Sequence, residues 1–261
     1  MRVDELSFPP PPEPAALEAM AQAFLAQSTW TEETVGHKPQ PELAITGDSL
    51  KVFQRIAEHA EPIPDRCNAL EMDRAQELRA RAVLEEKGFI APVEQTLAHG
   101  IVFYVLTEKG SEWARQNNFK VKQFKSGPLH EHLLNRVEKA IGVTNTKFTF
   151  QRNSQIAREH GLEPDSVLRF PGGQRAIIEI CCTNMDYEAR NLRREQSVDG
   201  VDMVLAVTPN ARVKKALAQA LEKCAGEGST SATLKPLLLF EAGECLAKGF
   251  DWAEVLGGLF Q

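Results

Sequence analysis

Three carboxylates in the second half of the chain are placed as oxygen ligands drawn from separate elements would be: Glu131, Asp165 and Glu179. Glu179 lies inside the apolar run Ala176-Ile177-Ile178-Glu179-Ile180-Cys181-Cys182. A charge in such a run is expensive to bury unless something compensates it. A divalent cation held by oxygen ligands is one compensation, and a hydrogen-bonded structural carboxylate is another. Glu131 opens an amphipathic helix, where a first-turn acid also suits the helix dipole. Asp165 follows Pro164, a place where aspartate often caps a turn. His130 and His132 flank Glu131 as candidate acid–base groups, or as surface residues of a helix start.

Cations accompany these acids. Arg190, Arg193 and Arg194 fall close together on one predicted helix. Arginine cannot act as a base, but it can clamp a phosphate. Lys120, Lys122 and Lys125 punctuate the stretch from Phe119 to Pro128, which reads as a point-charge patch for a nucleic-acid backbone or as a soluble hinge. Further upstream, Arg74 and Arg81 stand seven apart on one helix face and could meet phosphates or a base edge. The same helix carries Glu71, Asp73, Glu77, Glu85 and Glu86, which would repel a duplex. A solvated helix laced with ion pairs accounts for that composition equally well.

Bulk composition narrows the classes. The chain has 261 residues, 43% hydrophobic and 25% charged, which suffices for two compact domains or one large one. A net charge of -6 rules out a polycation binding nucleic acid through bulk charge, so any such contact needs a local basic patch. Cys67, Cys181, Cys182, Cys224 and Cys245 make no CxxC pair and no zinc-ligand spacing. An odd cysteine count with two adjacent members suggests reduced thiols in a cytoplasm. No apolar run reaches the ~20 residues of a membrane span, and the first residues show no signal-peptide pattern.

The elements that would position these groups can be read along the chain. Pro9 to Pro14 is an extended lead-in, or less plausibly a polyproline ligand, followed by a helix over 15–27 and a loop over 36–47. Asp48 or Ser49 caps a helix bearing Leu50, Phe53, Ile56 and Ala57. A break at Pro62-Ile63-Pro64 leads to a long helix over 71–87, stopped by Gly88. Two β-like runs over 89–97 and 101–107, joined through Ala98-His99-Gly100, precede another helix. The phrases Leu84-Glu85-Glu86-Lys87-Gly88-Phe89-Ile90 and Leu106-Thr107-Glu108-Lys109-Gly110 resemble the turn into the wing and the strand leaving it in winged helix-turn-helix domains. That resemblance implies that the helix over 71–87 reads a DNA groove, although winged helices also serve as dimerisation modules.

From His130 onward the pattern runs helix, strand, strand, strand, helix, strand, helix, strand, which implies an α/β layered domain. The run Gly127 to His132, then Glu163-Pro164-Asp165, then Ile177 to Cys181, resembles the PD-(D/E)XK superfamily of restriction-endonuclease-like proteins. By that resemblance Glu131, Asp165 and Glu179 would bind Mg²⁺ or Mn²⁺ for phosphodiester cleavage. A lysine is usual at the position that Cys181 occupies here, and Arg190 is the candidate replacement from the following helix.

The expected organisation is an extension over 1–47, an α+β winged-helix domain over 48–117, a basic linker over 118–128 and an α/β domain over 129–261 with a central mixed sheet. Three functions compete. One is a Mg²⁺-dependent DNA endonuclease, with Glu131, Asp165, Glu179 and Arg190 as its catalytic set. Another is an inactive nuclease-fold protein acting as a DNA-binding regulator or recruitment factor of a mobile element or defence system. The third is an interaction protein that meets only other proteins. A homodimer is compatible with all three, since both suspected modules commonly pair.

Overall fold

The computed structural model of the chain describes residues 45–93, 101–124, 126–144, 147–152, 161–227 and 234–257. The lead-in, the helix expected over 15–27, the Ala98-His99-Gly100 connection and Lys125 lie outside the described residues.

Helix α1 (Gly47–Glu58) buries Val52, Phe53, Ile56 and Ala57, an i, i+1, i+4, i+5 stripe. Pro62-Ile63-Pro64, read from sequence as a break, instead starts helix α2 (Ile63–Leu70), with Pro62 as its N-cap. Proline in a first turn removes only an N–H that has no helical partner anyway. The longest helix of this half, α3 (Arg74–Glu86), is fixed at its start by a capping box between Asp73 and Gln76. It stops at Gly88, whose φ of +68° suits glycine, while Phe89 N donates to Leu84 O at 2.9 Å.

Strands β1 (Ile90–Val93) and β2 (Phe103–Leu106) pair antiparallel, with Ile90 opposite Leu106 and Val93 opposite Phe103. Helix α4 (Glu108–Gln116) follows at once. The phrase Thr107-Glu108-Lys109-Gly110 has a physical reason. Thr107 Oγ1 donates to Gly88 O at 2.6 Å and accepts from Gly110 N at 3.0 Å. At Gly110 a Cβ would stand 2.0 Å from Phe89 O, so only glycine lets α4 come this close. Phe53, Phe89, Trp113 and Phe119 form an aromatic core, with Phe53 edge-on to Trp113 at 5.0 Å. Three helices, a hairpin and a closing helix in this order make a winged-helix arrangement.

The second half holds helix α5 (Pro128–Thr144) and a mixed five-stranded sheet in the order β3-β4-β5-β6-β7. Its strands are β3 (Thr149–Gln151), β4 (Ser166–Arg169), β5 (Arg175–Ile180), β6 (Met203–Thr208) and β7 (Leu237–Glu241). The first three are antiparallel and the last three parallel. Helices α6 (Met185–Glu195) and α7 (Ala211–Glu227) make the crossovers, and the short helices α8 (Ala242–Cys245) and α9 (Trp252–Gly257) close the described chain.

Side-chain alternation along β5 divides the core. Ala176, Ile178 and Ile180 pack with Leu133, Val137 and Ile141 of α5 and with Trp252. Ile177 and Cys181 pack on the other face with Ala189 and Leu192 of α6 and Leu217 of α7. The same alternation turns Glu179 toward α6. The wing joins the first of these cores, because Phe103 belongs to it and meets the His132 ring at 5.5 Å. Between the two halves, Lys122 N donates to Ala57 O at 2.9 Å and Lys122 Nζ donates to Glu131 at 2.6 Å.

Inside the winged helix, Arg66 and Glu77 are buried and joined at 2.6 Å. Glu77 also accepts from Arg81 at 3.3 Å, and Arg81 reaches Tyr104 Oη at 2.6 Å. Breaking such a pair strands a buried charge, so Glu77→Ala is expected to cost about 3–5 kcal/mol. Thermal unfolding of the variant checks this; an unchanged melting temperature would show that the pair holds nothing.

Candidate functional site

Two of the three predicted acids meet. Residues 165 and 179 adjoin the Ser166–Ile178 pair, where the β4–β5 register ends. Asp165 N donates to Glu179 Oε1 at 3.1 Å, and Ile180 N donates to Asp165 Oδ2 at 2.8 Å. His130 Nε2 lies 2.8 Å from the same Asp165 oxygen. Two further acids arrive from α6, which is capped by Asn184 and buries Glu195 beside Ala189 and Leu192. Glu188 accepts from Thr183 Oγ1 at 3.4 Å, and Glu195 shares a carboxyl–carboxyl hydrogen bond with Glu179.

Glu131 is not gathered with them. Its Oε1 accepts from Lys122 Nζ and from Arg152 Nη1, each at 2.6 Å, and from Asn135 at 3.2 Å. Burial alone would raise its pKa, but hydrogen bonds from Lys122 and Arg152 hold the carboxyl below the usual range. Arg152 is further anchored to Glu138 at 2.8 Å. The helix-start acid thus sits in a salt-linked cluster of its own.

Burial governs the electrostatics of Glu179 and Glu195. Glu179 is 9% exposed, and burial, then Glu195 and Asp165, push its pKa well above the ordinary value. Burial likewise pushes Glu195 up to about 8. Its Oε2 is buried without a hydrogen-bond partner, and the residue is 3% exposed. Burial raises the Cys181 thiol well above its normal range, so no charge stands where a lysine would help orient water. Among the described residues no group of three or more His, Cys, Asp and Glu side chains is arranged to hold a metal ion. The acid–acid bond, the diverted Glu131 and the neutral thiol together do not fit a magnesium or manganese ion.

The α6 arginines divide among different tasks. Arg190 is exposed. Arg193 donates to Gln196 and to Leu221 O, each at 3.2 Å, and so ties α6 to α7. Arg194 reaches Gly161 O at 3.3 Å. They do not form a single cationic clamp.

Helix α3 is the other candidate surface. The acids that would repel a duplex are largely turned away or neutralised: Asp73 caps the helix, Glu77 is buried with Arg66 and Arg81, and Glu85 pairs with Arg81. What faces outward is Arg74, Ala75, Leu78, Arg79, Ala82, Val83 and Glu86. Arg81 does not join Arg74 on that surface as its spacing predicted, because the ring of Tyr104 holds its guanidinium at 4.6 Å. Arg79 takes the place expected for it. Among the described residues, Arg74 and Arg79 have no side-chain partner. Lys120 is exposed nearby in sequence, while Lys122 is committed to Glu131.

Sequence reasoning missed Glu195, Arg152 and Arg79. The recurrence of Glu188 and Glu195 seven apart, on the side of α6 that carries Leu192, was a usable signal for the first. A count of which α3 positions fall opposite Ala80 and Leu84 would have found Arg79. Nothing local marks Arg152 as the partner of Glu131.

No protein-family model matches the sequence, and no curated protein does. Among solved structures the chain is similar to a zinc-responsive MarR family member, ZitR of Lactococcus lactis, at 17% identity over 40% of this chain and 72% of that one, with a TM-score of 0.28. It is similar to the adhesin competence repressor AdcR of Streptococcus pyogenes at 15% identity over 40% and 69%, with a TM-score of 0.28. Likeness to the transcriptional regulator SlyA is 23% identity over 40% and 72%, with a TM-score of 0.26. Scores of this size carry no structural argument, and the winged-helix assignment stands on its own elements, caps and register.

The buried acid pair makes stability depend on pH. Folded Glu195 keeps its proton up to about 8, whereas the unfolded group releases it near 4.5. The folded state therefore binds more protons across that window, and stability falls as pH rises through it. Melting temperature measured across the window is expected to drop on the alkaline side, and Glu195→Gln to flatten the drop by keeping a neutral hydrogen-bonding group. A wild-type profile as flat as that of the variant would disprove the shared proton.

Proposed function

We propose that this protein binds duplex DNA through its winged helix, with α3 laid in the major groove, and that its α/β half acts without cutting. The sequence of the α/β half resembles the PD-(D/E)XK superfamily, and its role in this reading is that of a regulator or recruitment factor of a mobile element or defence system. The observation that carries the reading is the outward arc of α3, where Arg74 and Arg79 remain free while Glu77 and Glu85 of the same helix are paired with arginines. Free arginines on a groove-sized helix are donors for phosphates and for guanine edges. A pure protein-binding role is less well supported, since Arg74 and Arg79 face outward from this helix beside Glu86 and keep its surface from being wholly acidic.

Two experiments test this reading. In fluorescence anisotropy on duplex DNA at low salt, Arg74→Ala and Arg79→Ala should each weaken binding by about 1–3 kcal/mol, with a shallower salt dependence where a phosphate contact is lost. Arg81→Ala should act mainly on melting temperature. Absence of any low-salt binding by the wild-type protein would end the proposal.

Magnesium-dependent cleavage is the competing reading, favoured by the meeting of Asp165 and Glu179. Plasmid incubated with the protein and Mg²⁺ or Mn²⁺ should stay supercoiled. Nicking by the wild type that disappears in Glu179→Ala would restore the nuclease.

A further inference from the structure

The outward arc of α3 is more apolar than electrostatic attraction to DNA alone requires. Leu78 is 53% exposed and Val83 38% exposed. Ala75, Leu78, Arg79, Ala82 and Val83 fall within about half of the helix circumference, given 3.6 residues per turn. Ala75, Leu78 and Ala82 form one row with the i, i+3, i+7 spacing of neighbours on a helix surface. The arc offers no asparagine, serine or threonine, and the one glutamine of α3, Gln76, is spent in the capping box with Asp73. An adenine edge therefore has no side-chain amide to pair with here.

Among the edges of B-DNA in the major groove, one group is apolar: the C5 methyl of thymine. Building on the DNA-binding reading above, we infer that α3 selects its duplex by packing Leu78, with Ala75 and Ala82 beside it, on thymine methyl groups. The preference is for thymine-bearing steps, with a guanine within reach of Arg79. Charge complementarity favours this occupant over a second copy of the chain. Arg74 and Arg79 border the apolar row without intramolecular partners, and their positive charge matches the phosphates that flank a major groove. Glu86 lies in the last turn, whereas a groove-reading helix makes its base contacts from its N-terminal turns.

The test uses the whole chain. A random duplex pool is selected on the protein, and the enriched duplex is then resynthesised with deoxyuridine in place of thymine, which removes only the methyl groups. Affinity should fall roughly fourfold for each methyl that is contacted, the factor expected for exposing one buried carbon. Affinity for an unselected duplex should not move. In Leu78→Ser, an exposed substitution whose unchanged melting temperature confirms folding, the thymine-to-deoxyuridine ratio should fall to about one. Equal affinity of the wild type for both forms of the selected duplex would overturn the inference while leaving DNA binding intact. Binding to neither form would mean that the DNA reading itself has failed. Loss of a self-associated species on sedimentation of Leu78→Ser, with the thymine ratio unmoved, would overturn the inference by assigning the row to a second copy.

Discussion

The winged helix depends on a charge that it cannot leave unpaired. Glu77 is fully buried in the first turn of α3, and everything around it answers that burial. Arg66 comes from α2 to meet it, Arg81 comes from the next turn, and Tyr104 of the wing receives Arg81 and lies beneath both guanidinium groups. One carboxylate thus ties two helices and the hairpin into a single orientation. Buried ion pairs of this kind add little net stability over a well-packed apolar alternative, but an unpaired member is strongly destabilising. The network therefore fixes how α3 is rotated about its axis. That rotation decides which residues solvent sees.

The carboxylates of the α/β half illustrate the opposite outcome. There, several acids are brought together around Asp165 and Glu179. Glu179 and Glu195 resolve the conflict by holding a proton between them, as close carboxyl groups in a dry site must. Asp165 accepts from a backbone N–H and meets His130. Glu131, which does have cations available, is drawn to Lys122 and Arg152. The side chains are arranged for stability within an interior.

Much of the fold was legible because its signals are local. The apolar run ending in Cys182 announced a buried strand, Gly88 and Thr107 punctuated the wing, and the alternation of apolar segments with helices implied a covered mixed sheet. Helix α2 was obscured by its prolines, which break helices in the interior but are tolerated in the first turn. The site was only half legible. The resemblance grouped Asp165 with Glu179, and the Asp165 N–H does reach the Glu179 carboxyl. The resemblance misled for Glu131 and the spacing for Arg81, because a partner such as Arg152 or Tyr104 comes from a distant segment and leaves no trace beside the residue it captures.

Phe103 connects the two halves in a way that a string of separate modules would not. A ring from the wing's second strand is seated among the residues that cover the sheet, against the imidazole of His132. The hairpin is therefore mortised into its neighbour rather than merely tethered to it. Such a joint limits exchange: a foreign wing could replace this one only if it brought a matching aromatic for the same socket. Heredity would then tend to keep both halves together as one heritable piece.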